Sequence, residues 1–281
     1  MDRHLVQRVG YAVLGLVALT VVVPILVVVG SVIARGARAI SWEFITAMPR
    51  DGMKAGGILP AIVGTLVLTA GTAIVAIPVG VGGAVYLSEY ARDTWITRSI
   101  RLAIINLAGI PSVVYGLFGL GLFVLFLQFG TSILAGALTL TIMTLPIIIS
   151  SAEEALRVVP VEFRTVSASL GGTRWQGIRH IVLPQALPGI ITGVILGLLR
   201  AAGETAPILF TVAAFYLPRL PQSPMDQTMA LPYHLYVIST QVPGMPVEIQ
   251  YGTALVLLAL VLSLSVVATV VRGYFRRRRE W

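Results

Sequence analysis

Charged side chains leave four long gaps along this chain. Val9 to Ala34, Ala55 to Ser88, Leu102 to Ala152 and Ile249 to Val271 hold no Asp, Glu, Lys or Arg over 26, 34, 51 and 23 residues. A helix crosses a hydrocarbon layer about 30 Å thick with about 20 apolar residues, so every gap can hold one such helix and the 51-residue gap can hold two. A spanning segment has to satisfy its own backbone hydrogen bonds, and no period-2 alternation runs through these stretches, so helices are expected and a barrel is not. The pattern predicts six spans, at about 9–33, 59–87, 102–128, 131–151, 188–214 and 251–271. The fold class is all-α, a polytopic helical membrane protein.

Composition agrees with the pattern. Of 281 residues, 57% are hydrophobic and 11% charged, with a mean hydropathy of +0.91. That charge content is less than half the roughly 25% of a soluble domain. An uncharged, mostly apolar run of 51 residues would aggregate in water, which excludes a soluble enzyme, a nucleic-acid module and a disordered chain. The net charge of +8 then points to the anionic leaflet of a lipid bilayer and not to nucleic acid. With six spans and the N-terminus inside, 14 basic residues fall in inside segments and five outside, with Arg200 left within a span. This asymmetry puts both termini in the cytoplasm, together with the long fourth loop at about 153–187. Ala37-Arg38-Ala39 has the small-x-small form of a signal cleavage site, but the 26 uncharged residues before it exceed the roughly 7 to 15 of a signal core, which favours a retained anchor. No cysteine is present, so thiolate chemistry, disulfides and cysteine metal sites are excluded.

Two features could carry function. In the fourth loop, Leu170, Trp175, Ile178, Ile181 and Val182 recur at spacings of three to five around Gly171-Gly172, which predicts two short amphipathic helices joined by a glycine turn. Such a pair could lie on the membrane surface, with Trp175 at the interface, or could dock a cytoplasmic partner. The second feature is Arg200 and Glu204 in the fifth span. Each charge costs about 2.5 to 3.5 kcal/mol at the centre of a lipid-exposed helix, so both are expected to face protein or a wet cavity. At i, i+4 they share one helix face, either as an ion pair that locks packing or as an anion site whose guanidinium fork suits phosphate or sulfate. Gly189, Gly193 and Gly197 form a small-residue stripe that admits a close helix neighbour. Asn106, Ser112 and Tyr115, near Pro111 in the third span, could line a path or hydrogen-bond between helices. The six prolines between Phe215 and Gln250 suggest an ordered outside loop able to meet a delivering protein.

Several of these segments resemble a known family. Gly171, nine residues, and then Ile181-Val182-Leu183-Pro184 resembles the second half of the coupling-loop signature of bacterial ABC importer permeases. Its Glu-Ala-Ala half would fall on Thr165, Val166 and Ser167, and none of the three matches. The stretch from Arg200 to Pro207, RAAGETAP, is similar to the RAxGETxP segment of phosphate importer permeases of the PstA type. Gly56-Gly57-Ile58, Pro60-Ala61-Ile62, Gly64-Thr65-Leu66, the run from Tyr86 to Tyr90, LAGIPSVVYG from Leu107 to Gly116, and Glu154 to Arg157 before Val159-Pro160 extend the resemblance over most of the chain beyond the first span.

The resemblance implies a type I (MetI-like) ABC permease fold in a bacterial inner membrane. Residues 1–55 would be an N-terminal anchor helix and first periplasmic loop, and residues 56–281 the permease core. It implies a path lined by Arg200, Glu204, Thr205, Asn106, Ser112 and Tyr115, and an ATPase-coupling element at Ser169, Leu170, Gly171, Gly172, Arg174 and Trp175. The implied partners are a second, PstC-like permease, two PstB-like ATPases and a periplasmic PstS-like phosphate-binding protein. No cofactor would be bound by this chain, because ATP and Mg would sit on the ATPase. In agreement, no Walker A pattern, HExxH or GxSxG occurs, and His4, His180 and His234 are isolated. The competing reading is a secondary anion carrier in which Glu204 takes up a proton and Arg200 binds the anion.

Overall fold

The protein was analysed as a computed structural model that describes residues 3–169 and 171–277. Leu170, Arg278 and Arg279 therefore lie outside the described residues. Helix α1 (Arg3–Gly36) leads through α2 (Trp42–Thr46) and a hairpin of β1 (Pro49–Arg50) and β2 (Ala55–Gly56) to α3 (Leu59–Val85). A π-helical turn, Tyr86–Tyr90, extends α3. Next come α4 (Trp95–Ala108), α5 (Ser112–Gly119) with a π-helical extension Leu120–Phe126, and α6 (Ile133–Arg157). The short helices α7 (Val161–Ser169) and α8 (Arg174–Gly177) follow, and a third π-helical turn, Ile178–Val182, joins α8 to α9 (Leu183–Gly203). The chain closes with α10 (Ala206–Thr211), α11 (Leu231–Thr240) and α12 (Val247–Arg277).

Local chemistry places the helix ends. Pro60 and Pro184 sit in the first turns of α3 and α9, where a missing N–H costs nothing. The Ser132 hydroxyl accepts from Ala135 N at 3.2 Å to cap α6, and Thr94 does the same for Thr97 N on α4 at 3.3 Å.

Among the described residues, five continuous helices are long and apolar enough to span a membrane, and the bent pair α4–α5, counted as one span, makes six. The predicted third span is thus not one straight helix: α4 starts seven residues earlier than expected and meets α5 at 103°. Pro111 explains the break, since it has no N–H to give and pushes Ile110 out of the helical region. The fifth span is shifted as well. It starts at the loop, as Arg174–Gly203, and ends before Glu204, so the expected helix over 188–214 is divided between α9 and α10.

Helix α6 is the hub, with 61% of its most apolar stretch buried, against none for α1 and α12. It packs between α3 and α9, and the glycine stripe of α9 makes that contact close. A Cβ on Gly193 would stand 2.4 Å from the Ser151 Cβ, and one on Gly189 2.5 Å from that of Ala155. One end of the bundle carries α7 and α8, hereafter the loop face. The opposite end carries α2, the hairpin and α11.

Helix α11 corrects the expectation of a surface loop between Phe215 and Gln250. Its Leu231, Pro232, Tyr233, His234, Val237 and Ile238 are buried, and Leu231 N donates to Thr65 Oγ1 of α3 at 2.8 Å. At Gly64 the α3 backbone is so near the 228–231 segment that a Cβ would lie 1.8 Å from the Met229 carbonyl oxygen. Prolines concealed this helix from sequence reasoning, because they mark turns and helix starts alike.

Two outcomes follow from this packing. Gly64→Ala should lower the thermal midpoint of the purified protein, whereas Gly82→Ala on the same helix, with open space around its Cβ, should leave it equal or raise it through helix propensity worth about 0.5–1 kcal/mol. Burial pushes the His234 imidazole down to about 4. The folded state then binds fewer protons than the unfolded state between pH about 4 and 6.5, so stability should fall as pH drops through that window. The effect is of order 3 kcal/mol, and His234→Gln should abolish most of the difference between melts at pH 7 and pH 4.5.

Candidate functional site

The helix that follows the first chain break packs on a second one. Helix α9 stops at Gly203, Glu204 is extended at φ −77° and ψ 138°, and α10 starts after Thr205. Pro207 enforces the stop, since its ring would clash with the carbonyl four residues back, at Gly203. Helix α5 abuts this second break, because a Cβ on Gly116 would be 3.0 Å from both the Ala206 carbonyl oxygen and the Pro207 Cα. Arg200 in the last turn of α9 donates through Nε to Glu204 Oε1 at 3.3 Å. The expected pair therefore forms, but at a helix end and not inside a continuous helix. Its side chains are 37% and 17% exposed, so the guanidinium keeps an open side while the carboxylate is mostly enclosed. A cation in the last turn also meets the negative end of the helix dipole. Glu204 faces a small void shared with Thr65 and Leu68 of α3, Leu140 of α6, and Ala230 and Pro232.

The other sequence-selected residues divide by environment. Tyr115 is 5% exposed and donates its hydroxyl to the Leu107 carbonyl at 2.7 Å, across the first break. The same carbonyl accepts from Ile110 N at 3.1 Å, so Tyr115 adds a second donor at the bend, and its hydroxyl lies within electrostatic reach of Arg200. Ser112 and Thr205 are half-buried at the starts of α5 and α10, and Asn106 is exposed one turn before the bend.

On the loop face the expected glycine turn is present. Gly171 adopts φ +75°, the left-handed conformation that glycine takes without strain, and Gly172 N donates to the Ser167 carbonyl at 2.9 Å. Thr173 and Gln176 form a reciprocal capping box that starts α8. Trp175 is exposed, as are Val161 and Val166 of α7, while the Arg174 guanidinium lies over the Tyr90 ring at 5.6 Å. Ser169 is exposed and donates to the Thr165 carbonyl at 3.0 Å. Thr165, which stands where the signature has Glu, spends its hydroxyl on the Glu162 carbonyl of its own helix at 2.8 Å.

Sequence reasoning missed five charges that the structure pairs here. Glu153 accepts from Arg101 Nε at 2.7 Å and from Arg157 Nη2 at 2.8 Å, and Arg101 also donates to the Leu87 carbonyl at 2.7 Å. Glu89, only 8% exposed, takes two hydrogen bonds from Arg164. The available signal was position: Glu89, Arg101 and Glu153 each border a long uncharged gap. Beside them, two hydrogen bonds from Arg98 hold the exposed Asp93 carboxyl below the usual carboxylate range, with further help from Arg101 and Arg157.

Comparison with known proteins defines the class. The sequence profile of the family described as "Binding-protein-dependent transport system inner membrane component" matches residues 76–281. The chain is 33% identical over 280 residues to the probable ABC transporter permease protein YqgI of Bacillus subtilis, covering 94% of this chain and 95% of that protein. It is 35% identical over 263 residues to the phosphate transport system permease protein PstA 1 of Mycobacterium tuberculosis, covering 92% and 84%. Two solved structures share the fold. A bacterial ABC transporter involved in import of the acidic polysaccharide alginate aligns over 99% of this chain and all of that one, with a TM-score of 0.70 and 14% identity. The MetNI methionine ABC transporter in an inward facing conformation aligns over 78% and 95%, with a TM-score of 0.63 and 17% identity. The chain belongs to the binding-protein-dependent transport system inner membrane component family, with the type I ABC importer permease fold. It is a multi-pass membrane protein, and membership implies a permease partner and ATPase subunits.

Tyr115→Phe tests the bend. Loss of this one hydrogen bond across the bend should cost about 1 kcal/mol, read as a lower thermal midpoint in detergent, with the helical circular dichroism unchanged.

Proposed function

We propose that this chain is a path-forming subunit of an ATP-driven importer that moves inorganic phosphate into the bacterial cytoplasm. The observation that carries this reading is the Arg200–Glu204 pair within RAAGETAP, joined to chain-long similarity to phosphate permeases. Arg200 is permanently charged, has an open side, and offers the planar donor fork that matches phosphate oxygens. Glu204 holds that fork while no anion is bound. An arriving phosphate competes with the carboxylate for the same donors, which keeps binding weak enough for release. Thr205, Ser112, Tyr115 and Asn106 are assigned to the same path around the two breaks.

In this reading residues 1–55 anchor and residues 56–281 form the permease core, with both termini in the inner-membrane cytoplasm side. The loop face is then cytoplasmic, and Ser169 to Trp175 with their exposed apolar neighbours dock a PstB-like ATPase. A PstC-like permease completes the path, and a PstS-like protein delivers phosphate to the opposite face. The chain has no catalytic role of its own and binds no cofactor, since ATP and Mg belong to the ATPase.

Phosphate uptake in proteoliposomes holding the full complex tests the assignment. Arg200→Ala should lower uptake at least tenfold and Arg200→Lys should lower it less, keeping charge but losing the fork. Glu204→Gln should slow release and reduce turnover. Normal uptake by all three variants would refute the site, and uptake by this chain alone under a pH gradient would favour a proton-coupled carrier instead.

A further inference from the structure

We propose that the Arg164–Glu89 ion pair is the clasp that carries movement of the loop helices into α3, which makes both side chains positioning residues for the anion site at the other end of that helix. This rests on the reading that the loop meets an ATPase.

The geometry of Arg164 is the starting point. Its Nε donates to Glu89 Oε2 at 3.2 Å and its Nη2 to Glu89 Oε1 at 3.0 Å, a bidentate contact between α7 and the extension of α3. The same Nη2 donates to the Leu156 carbonyl at 2.9 Å, and Nη1 donates to the carbonyls of Val159 and Pro160. One side chain thus holds the Leu156 carbonyl in the last turn of α6, the Val159 and Pro160 carbonyls just beyond that helix, and the carboxylate of a second span at once. Every nitrogen of the guanidinium is engaged, and Glu89 is too enclosed for water to replace the bond cheaply.

The remaining contact between loop and α3 is less directed. Phe163 packs with Leu156, Val159 and Val182 against Ala84, Val81 and Val85, an apolar surface that attracts but does not fix direction. Beside the clasp lies a pocket of about 280 Å³, lined by Glu89, Arg164, Ser167, Thr173 and Arg174 among others, so the interface is not closely filled there. The bidentate pair and the Arg174–Tyr90 contact are two oriented connections across it. From Glu89, α3 runs roughly 32 Å to Leu68 and roughly 36 Å to Thr65, at about 1.5 Å per residue. Those two residues share the void with Glu204. A displacement of α7 pulled through Glu89 would therefore reach the wall of the Arg200–Glu204 site along one helix.

The test uses the full complex in proteoliposomes, with ATP hydrolysis and phosphate uptake measured on the same preparation. Arg164→Gln and Glu89→Gln should keep hydrolysis within about twofold while uptake falls at least tenfold, so that phosphate moved per ATP collapses. The chain has no cysteine, so Glu89→Cys with Arg164→Cys introduces the two thiols needed for a rescue. Bridging them with a short bis-methanethiosulfonate, which joins each thiol through a disulfide and releases sulfinate, should restore uptake per ATP, and reductant should cleave those disulfides and reverse the rescue. A pair that only stabilises the fold would lose hydrolysis and uptake in parallel, with bridging restoring neither; that result, or an unchanged ratio in both glutamine variants, overturns the clasp. The unsubstituted complex reports on the importer reading separately: ATP-dependent uptake there leaves that reading standing when the clasp fails, and its absence overturns both.

Discussion

A backbone amide inside hydrocarbon has no water to turn to, and every irregular feature of this protein has to answer that constraint. Spans can be uninterrupted helices without further provision, as α1 and α12 are. A break needs buried partners for the groups it frees. At the α4–α5 bend the Tyr115 hydroxyl covers the Leu107 carbonyl. At the α9–α10 break, Gly116 lets α5 come close enough to shield the Ala206–Pro207 backbone. The helix that follows the first break thus packs on the second, and it is at this second break that the charged pair Arg200–Glu204 is accommodated.

The same constraint governs the charges. Arg200 and Glu204 sit at the end of a span, not its middle, where the helix dipole, partial exposure and mutual pairing lower the cost of ionisation. On the loop face, Glu89 and Glu153 are nearly enclosed and each is met by arginine: Glu89 by Arg164, Glu153 by Arg101 and Arg157. The Arg164–Glu89 and Arg101–Glu153 pairs join helices distant in sequence, so they act as directional ties among surfaces that otherwise associate through apolar contact. Close glycine contacts supply the complementary feature. Helix α6 approaches α3 and α9 as near as backbones allow, and small shifts in one helix are therefore passed to its neighbours.

Much of the architecture was legible along the chain. Uncharged gaps located the spans, Gly171 marked the loop turn, and Arg200 with Glu204 stood out because charges are costly in lipid. The existence of six spans is a matter of composition and length, which a one-dimensional pattern records. Where the expectation went astray, it did so at Pro111, Pro207 and Pro232, since a proline can bend a helix, divide it or begin one, and only the packing around it decides which.

Tertiary structure alone decided which distant groups meet. That Arg164 would grip Glu89, that Arg101 would reach Glu153, and that α5 would pack on the α9–α10 break are facts of three-dimensional approach across tens of residues. Hydrophobic periodicity is blind to them, because burial against a neighbour and exposure to lipid demand the same apolar side chains. The sequence by itself determined that this is a helical membrane protein with charges at fixed points along its spans; packing determined which of those charges became partners, since only close approach in a poorly solvated interior makes such pairing strong.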